Sequence, residues 1–280
     1  VSQPIAIEDV EKAVQRRRAR LQARNLVSSI FAPIIVVVVL ALLWEAASAL
    51  FGIPTFLLPR PSLIGASLIE HGAILLHESW ITGGEIVLGY GLSIAVGVPL
   101  ALAIFLSPAF ARAIYPLLVS TQAMPKVAIA PLLIVWFGFG VLPKVLIAFL
   151  IAFFPIVINT AMGLAAIERE KIFLARSMGM SAATTFFKIR LPDALPAIFA
   201  GLKIAITLAV VGAVVGEFVG GNDGLGYQLI TANGSMDTPL LFAGLIALTI
   251  LGVGLFLLVE LAERLAIPRP HGSATGRESM

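Results

Sequence analysis

The sequence predicts an all-α integral membrane protein with six transmembrane helices. Composition is the first observation: of 280 residues, 59% are hydrophobic and only 12% charged, where a soluble domain carries about a quarter charged residues. Patterning is the second. The apolar residues gather into long runs, and about 20 such residues span the hydrocarbon layer as a helix. Third, the chain has no cysteine, so disulfide scaffolds and thiolate metal sites are excluded. The histidines His71, His77 and His271 are scattered and form no ligand spacing.

The chain opens with a basic segment, residues 1–29. Within it, Ile5 to Leu26 can form a helix along the inner leaflet, where anionic lipid attracts such segments; a plain topology anchor is the alternative. The membrane domain covers residues 30–265, and a tail of residues 266–280 follows. Span one is expected from Ile30 to Phe51. It is too long for a signal-peptide core, its leader is too long, and no small-x-small cleavage site follows. Span two is expected from Thr82 to Leu106, and span three from Ala113 to Phe137. Pro125 and Pro131 in span three free backbone groups, which is tolerated mainly where protein surrounds them. Span four runs from Lys144 to Leu164, span five from Ala197 to Val219, and span six from Leu240 to Leu261.

Orientation follows from Lys and Arg, which concentrate on the cytoplasmic side. With the N-terminus inside, Lys12, Arg16, Arg17, Arg18, Arg20 and Arg24 precede span one, and Arg112 lies between spans two and three. Arg169, Lys171, Arg176, Lys188 and Arg190 lie between spans four and five, and Arg264, Arg269 and Arg277 follow span six. Only Arg60 and Lys144 fall outside, while Lys126 and Lys203 lie within spans. Both termini are therefore expected in the cytoplasm.

The segment between spans four and five, residues 165–196, then becomes a cytoplasmic loop. "AAIEREKIFLARSMGM" suits a helix, with Glu168 and Glu170 early and Arg176 late, as the helix dipole prefers. Gly179 suits a helix end or a close approach. Ser181 can cap a second short helix, "SAATTFFKIR", and Leu191-Pro192 is expected to end it. Phe173, Leu174, Met178, Phe186, Phe187 and Ile189 have no lipid-spanning task there. They can bury against the protein's own spans or against a partner.

Reactive and energy-coupling motifs are missing from the sequence. There is no G-x-x-x-x-G-K-[ST] phosphate loop, no H-E-x-x-H and no G-x-S-x-G. "GGNDGLG", starting at Gly220, falls on the outer side after span five and reads as a turn.

In the loop, Ala175, Gly179, Ile189, Leu191 and Pro192 match in register the pattern E-A-A-x3-G-x9-I-x-L-P. That pattern belongs to the inner-membrane subunits of ABC importers. Phe173 and Leu174 depart from its leading E-A. "LLPRPS" (Leu57 to Ser62), "MPKVAIAPLLIVWFGFG" (Met124 to Gly140), "FFPIVINTAMGL" (Phe153 to Leu164) and "GEF…GLG" (Gly216 to Gly226) resemble further segments of that family's nitrate/sulfonate/taurine branch. The likeness covers about residues 30 to 265. It implies a type I ABC importer permease (MetI-like) fold in a bacterial cytoplasmic (inner) membrane. It also implies a homodimer, two separate ATPase subunits that bind ATP and Mg, and a soluble substrate-binding protein. The chain itself is then no enzyme and holds no cofactor or metal, and its surroundings are the lipid bilayer rather than nucleic acid. The loop would be the coupling helix. When ATP closes the ATPase pair, the loops move together and the spans rock from inward- to outward-facing, because packed interfaces are bistable rather than soft.

Ionisable groups within spans are functional candidates. Lys126, Glu217, Glu85, Asn159 and Gln122 are candidates for the pathway or a gate, and each can instead hydrogen-bond a neighbouring helix. Glu45 lies late in span one. A small anion such as nitrate, a sulfonate or taurine is the first substrate expectation. A heteroaromatic such as a thiamine-precursor pyrimidine or riboflavin is the alternative, motivated by Glu85: the nitrate/sulfonate members more often show a basic residue near that place, whereas several heteroaromatic importers resemble this sequence there. From other classes, a stand-alone secondary transporter would call for internal inverted repeats, which the sequence does not show, and an intramembrane enzyme would need a motif it lacks.

Overall fold

The structure is a computed structural model that describes residues 35–267. The expected N-terminal basic helix, the start of span one and most of the tail lie outside the described residues. The described residues divide into two compact units, one up to Ala66 and one from Ser67. All regular structure among the described residues is helical.

In the first unit, helix α1 (Ile35–Leu50) is apolar and follows the prediction for span one. Its Glu45 carboxylate accepts from the Ser62 backbone N–H at 3.0 Å and from the Ser62 hydroxyl at 2.8 Å. Those bonds fix the start of α2 (Pro61–Glu70), where proline suits the first helical position.

The second unit holds four helices long and apolar enough to cross a membrane. They are α3 (Gly72–Leu106), α6 (Val141–Ala165), the helix that ends as α9 (Leu191–Gly220), and α11 (Thr238–Ala266). Helix α3 has 35 residues, about 52 Å at 1.5 Å per residue, so it outruns the span predicted from Thr82. Asp237 starts α11, its side chain accepting from Leu240 N–H at 3.1 Å, with Pro239 following.

The third predicted span is not one straight helix. It consists of α4 (Pro108–Ala123), a 3₁₀ turn (Lys126–Ile129) and α5 (Ala130–Phe137), with an 84° bend between the two arms. Proline explains the break. Pro125 has no N–H to donate and holds Met124 before it in extended backbone (ψ 128°). Pro131 then falls in the first turn of α5, where a missing N–H costs nothing.

Helix α6 is the centre of the unit, packed between α3 and α9. Ile86, Ala148, Ala152, Ile156, Ala205, Ile206, Ala209 and Ala213 form the main buried cluster. Glycines let the backbones close in. A Cβ on Gly89 of α3 would sit 2.6 Å from the Ala148 Cβ, and one on Gly212 of α9 would sit 2.5 Å from the Ala148 Cα. On α9, Gly201 and Gly216 meet Asn159 and Lys144 of α6 in the same way. Ser93 ties α3 to α6 by donating to the Phe149 carbonyl at 3.1 Å. Most large side chains on the outer faces of α11 stay exposed, as a lipid-facing helix requires.

Candidate functional site

Two regions carry polar chemistry that an apolar bundle does not need. The first is the loop between α6 and α9. Its first helix, α7 (Arg169–Ser177), ends in a two-bond turn. Gly179 N–H donates to the Arg176 carbonyl at 2.9 Å, and Met180 N–H to the Ala175 carbonyl at 3.0 Å. This is the Schellman arrangement, and it needs a left-handed residue at Gly179, where φ is +80°. No atom lies within 4 Å of a Cβ added there, so backbone conformation, not crowding, accounts for this glycine. Ser181 then caps α8 (Ala182–Thr185), accepting from Thr184 N–H at 3.2 Å, as its sequence suggests.

Pro192 does not end that second helix. A π-helical turn, Phe186–Arg190, carries α8 directly into α9, so residues 182–220 form one continuous helix. Leu191 N–H donates to the Phe186 carbonyl, five residues back. The wider turn gives room for a proline ring that would press on the carbonyl four residues earlier in an α-helix.

Of the loop residues matched to the coupling pattern, Ala175 is held inside the loop, while Pro192 at the start of α9 is exposed. Ala175 is buried, and Ile189 and Leu191 are half-buried. Phe186 packs toward the spans, its ring 6.4 Å from that of Phe105. By contrast, Phe173 is 66% exposed, Met178 is 73% exposed, and Leu174 and Phe187 are also exposed. Lys171 bonds Asp193 at 2.9 Å, joining α7 to the first turn of α9. That carboxylate holds the Lys171 ammonium above its ordinary pKa.

The second region lies at the opposite end of α3, α6 and α9. Glu78, Thr82 and Glu85 occur at spacings of four and three on α3, hence on one helix face. Glu85 and Glu217 are each 1% exposed, and Lys144 is 2% exposed. The Lys144 ammonium donates to Glu85 Oε1 at 2.8 Å and to the Asp223 carboxylate and carbonyl. Lys144, expected on the outer side at the start of span four, lies in the first turn of α6 and is buried in the bundle.

The remaining carboxylates hold the start of α10 (Leu225–Gly234). The first N–H groups of a helix have no partner within it. Gly224 N–H donates to Glu78 Oε2 at 2.6 Å, Leu225 N–H to the Thr82 hydroxyl at 2.8 Å, and Gly226 N–H to Glu217 Oε2. The Thr82 hydroxyl in turn donates a hydrogen bond to Glu217 Oε1 at 2.6 Å. Anionic groups at this helix end also oppose the positive pole of its dipole. Gly224 has φ +99°, and a Cβ there would collide with the Glu217 carboxylate. "GGNDGLG" is thus a turn, as read, but one clasped by three buried side chains from α3 and α9.

Among the predicted pathway residues, Glu85 and Glu217 are brought together in this clasp. Lys126, Gln122 and Asn159 lie elsewhere. Lys126 is half-buried at the α4–α5 break, its ammonium 5.9 Å from the Phe154 ring centroid. Gln122 is exposed in the last turn of α4. Asn159 donates to the Pro155 carbonyl within α6 at 2.8 Å. Glu78, Thr82, Lys144 and Asp223 are additions that sequence reasoning missed. No group of three or more metal-ligating side chains occurs among the described residues.

A family model described as the binding-protein-dependent transport system inner membrane component matches residues 90–271. The chain belongs to this family. This inner membrane component is also 36% identical to the formylaminopyrimidine transport permease protein ThiX of Halalkalibacterium halodurans, over 84% of this chain and 94% of the relative. It is 36% identical to the riboflavin transport system permease protein RibX of Chloroflexus aurantiacus, over 83% and 88%. Identity is 27% with the taurine transport system permease protein TauC of Escherichia coli, over 82% and 86%. Its fold is shared with a chain of the MetNI methionine ABC transporter solved in inward-facing conformations. That match has a TM-score of 0.60 at 18% identity and covers 70% of this chain and 98% of the other. The MetI-like permease fold expected from sequence is thereby established, and the protein is an ABC transporter permease of the membrane.

Proposed function

We propose that this permease forms the translocation pathway of an ATP-driven importer and that the α7–α8 loop docks on a separate ATPase subunit. The observation that carries this reading is the exposure of Phe173, Leu174, Met178 and Phe187 on a loop beyond the spans. Apolar groups massed at one polar surface mark an interaction site. Two copies of the permease, two ATPase subunits holding ATP and Mg, and a soluble binding protein on the outer side complete the assembly. Purification of the co-expressed complex followed by weighing should give two copies of each membrane and ATPase subunit. A chain that transports alone in liposomes, without any ATPase, would overturn the reading.

The distribution of Lys and Arg supports a cytoplasmic loop and cytoplasmic termini. The cysteine-free background allows a direct test. Ala183→Cys puts an exposed thiol on α8 while leaving the Ser181 cap in place. An impermeant maleimide should label it only after the cells are opened. Labelling in intact cells would reverse the topology.

For the substrate, a heteroaromatic solute of the pyrimidine or flavin type is the better-supported class. Support comes from the 36% identity to relatives named for such compounds, against 27% to 30% for those named for taurine or aliphatic sulfonates. The small anion remains the second reading, favoured by the Lys126 ammonium at the α4–α5 break. Glu85 no longer argues for either, since its carboxylate is committed to Lys144. Lys126, Gln122 and Asn159 are proposed to line the pathway, and the Glu85–Glu217 clasp to hold its outer end. Which class stimulates ATP hydrolysis by the complex, with its binding protein present, decides between the two.

A further inference from the structure

Where the basic end of the bundle meets the apolar spans, two cavities adjoin. One, about 510 Å³, lies among Ile104, Phe105, Tyr115, Ala161, Met162 and Arg190. The other, about 480 Å³, shares Phe105 and Arg190 and adds Arg176. Arg190 stands between them, its guanidinium 5.0 Å from the centroid of the Phe105 ring. No Asp or Glu lines either cavity. Arg190 and Arg176 make no ion pair among the described residues. Asp193, one turn beyond Arg190, is occupied by Lys171. A half-buried guanidinium stacked on an aromatic ring, with its donors unspent, is built to take a phosphate-like anion.

The level of this site in the bilayer says which anion. Helix α3 ends at Leu106 and α6 at Ala165, while the long apolar run of α9 starts after Asp193. Arg190 therefore sits at headgroup depth, with the larger cavity reaching from it along the apolar ends of α3, α4 and α6. We propose that this end of the permease holds one anionic phospholipid of the inner leaflet, its phosphate on Arg190 and an acyl chain in the apolar cavity behind it. The shape and charge both match: a cationic rim over an apolar chamber between spanning helices is what such a lipid fills. The leaflet assignment rests on the proposed topology, which the Ala183→Cys labelling decides separately.

Native mass spectrometry of the purified full chain, titrated with phosphatidylglycerol or phosphatidylcholine, tests the site. The wild type should retain one phosphatidylglycerol with about a fivefold preference over phosphatidylcholine, the effect of one basic side chain near an anionic headgroup. Arg190→Gln should lose that preference, and Arg190→Lys should keep most of it. Arg264→Gln, on α11 and paired with Glu260, should leave it unchanged. Equal retention of the two lipids by the wild type overturns the proposal, and does so even if Arg190→Gln fails to fold. Undiminished selectivity in Arg190→Gln would overturn it too.

Discussion

Lys144→Met should destabilise the folded permease by roughly 3–5 kcal/mol, the usual cost of stripping one partner from a buried ion pair. The methionine fills similar space, so packing is largely kept. What changes is that Glu85, 1% exposed, loses the ammonium 2.8 Å away. Asp223 loses its tether at the same time. The double variant Lys144→Met, Glu85→Met should recover most of the loss, because replacing both charges with apolar groups is often neutral or better. Thermal unfolding in detergent, followed by circular dichroism, measures both. A single variant as stable as the wild type would mean that the Lys144–Glu85 pair is not what holds the clasp.

Gly179→Asp should release the ATPase, weakening its binding on the order of a hundredfold or more, if a charge is buried at that contact without a partner. The isolated permease should tolerate the change. A side chain at Gly179 finds open space, and the left-handed backbone there costs about 1–2 kcal/mol in the loop alone. Gly179→Ala carries at least the backbone cost of the aspartate, which tolerates the left-handed region better, and no charge, so it separates the two effects. Retention of the ATPase in pull-downs and substrate uptake are read together, with membrane abundance as control. Normal retention and uptake in the aspartate variant would remove the docking role. An equal loss in the alanine variant would assign the effect to the turn itself.

Much of this molecule is legible in its sequence because hydrophobicity and punctuation act locally. Runs of apolar residues located α1, α3, α6, α9 and α11, and Ser181 and Gly179 marked the loop's cap and turn correctly. Pro192 misled because a proline's effect depends on the turn around it, and the π-turn at Phe186–Arg190 absorbs it. The bend at Met124 and Pro125 was signalled by the prolines, but its 84° angle was not. The clasp was least legible. Its members come from residues as far apart as Glu78 and Gly226, and only the spacing of Glu78, Thr82 and Glu85 gave a local sign. Lys144 at the start of span four gave no sign of its role, because nothing near it in sequence shows the carboxylate that meets it in space.

The close approach of α6 to α3 and α9 also has a genetic consequence. At Gly89, Gly201, Gly212 and Gly216 a Cβ would press within 3.0 Å of a neighbouring helix. Any single-nucleotide change in a glycine codon that alters the residue adds at least that carbon. These four positions therefore have no mild missense neighbours, whereas Gly84 and Gly254, which face open space, do. A saturation screen should find intolerance in a line down one side of α9, at one point of α3, and at Gly163 of α6, where an added Cβ would sit 2.7 Å from the Ala197 Cβ. That line would trace where the backbones touch.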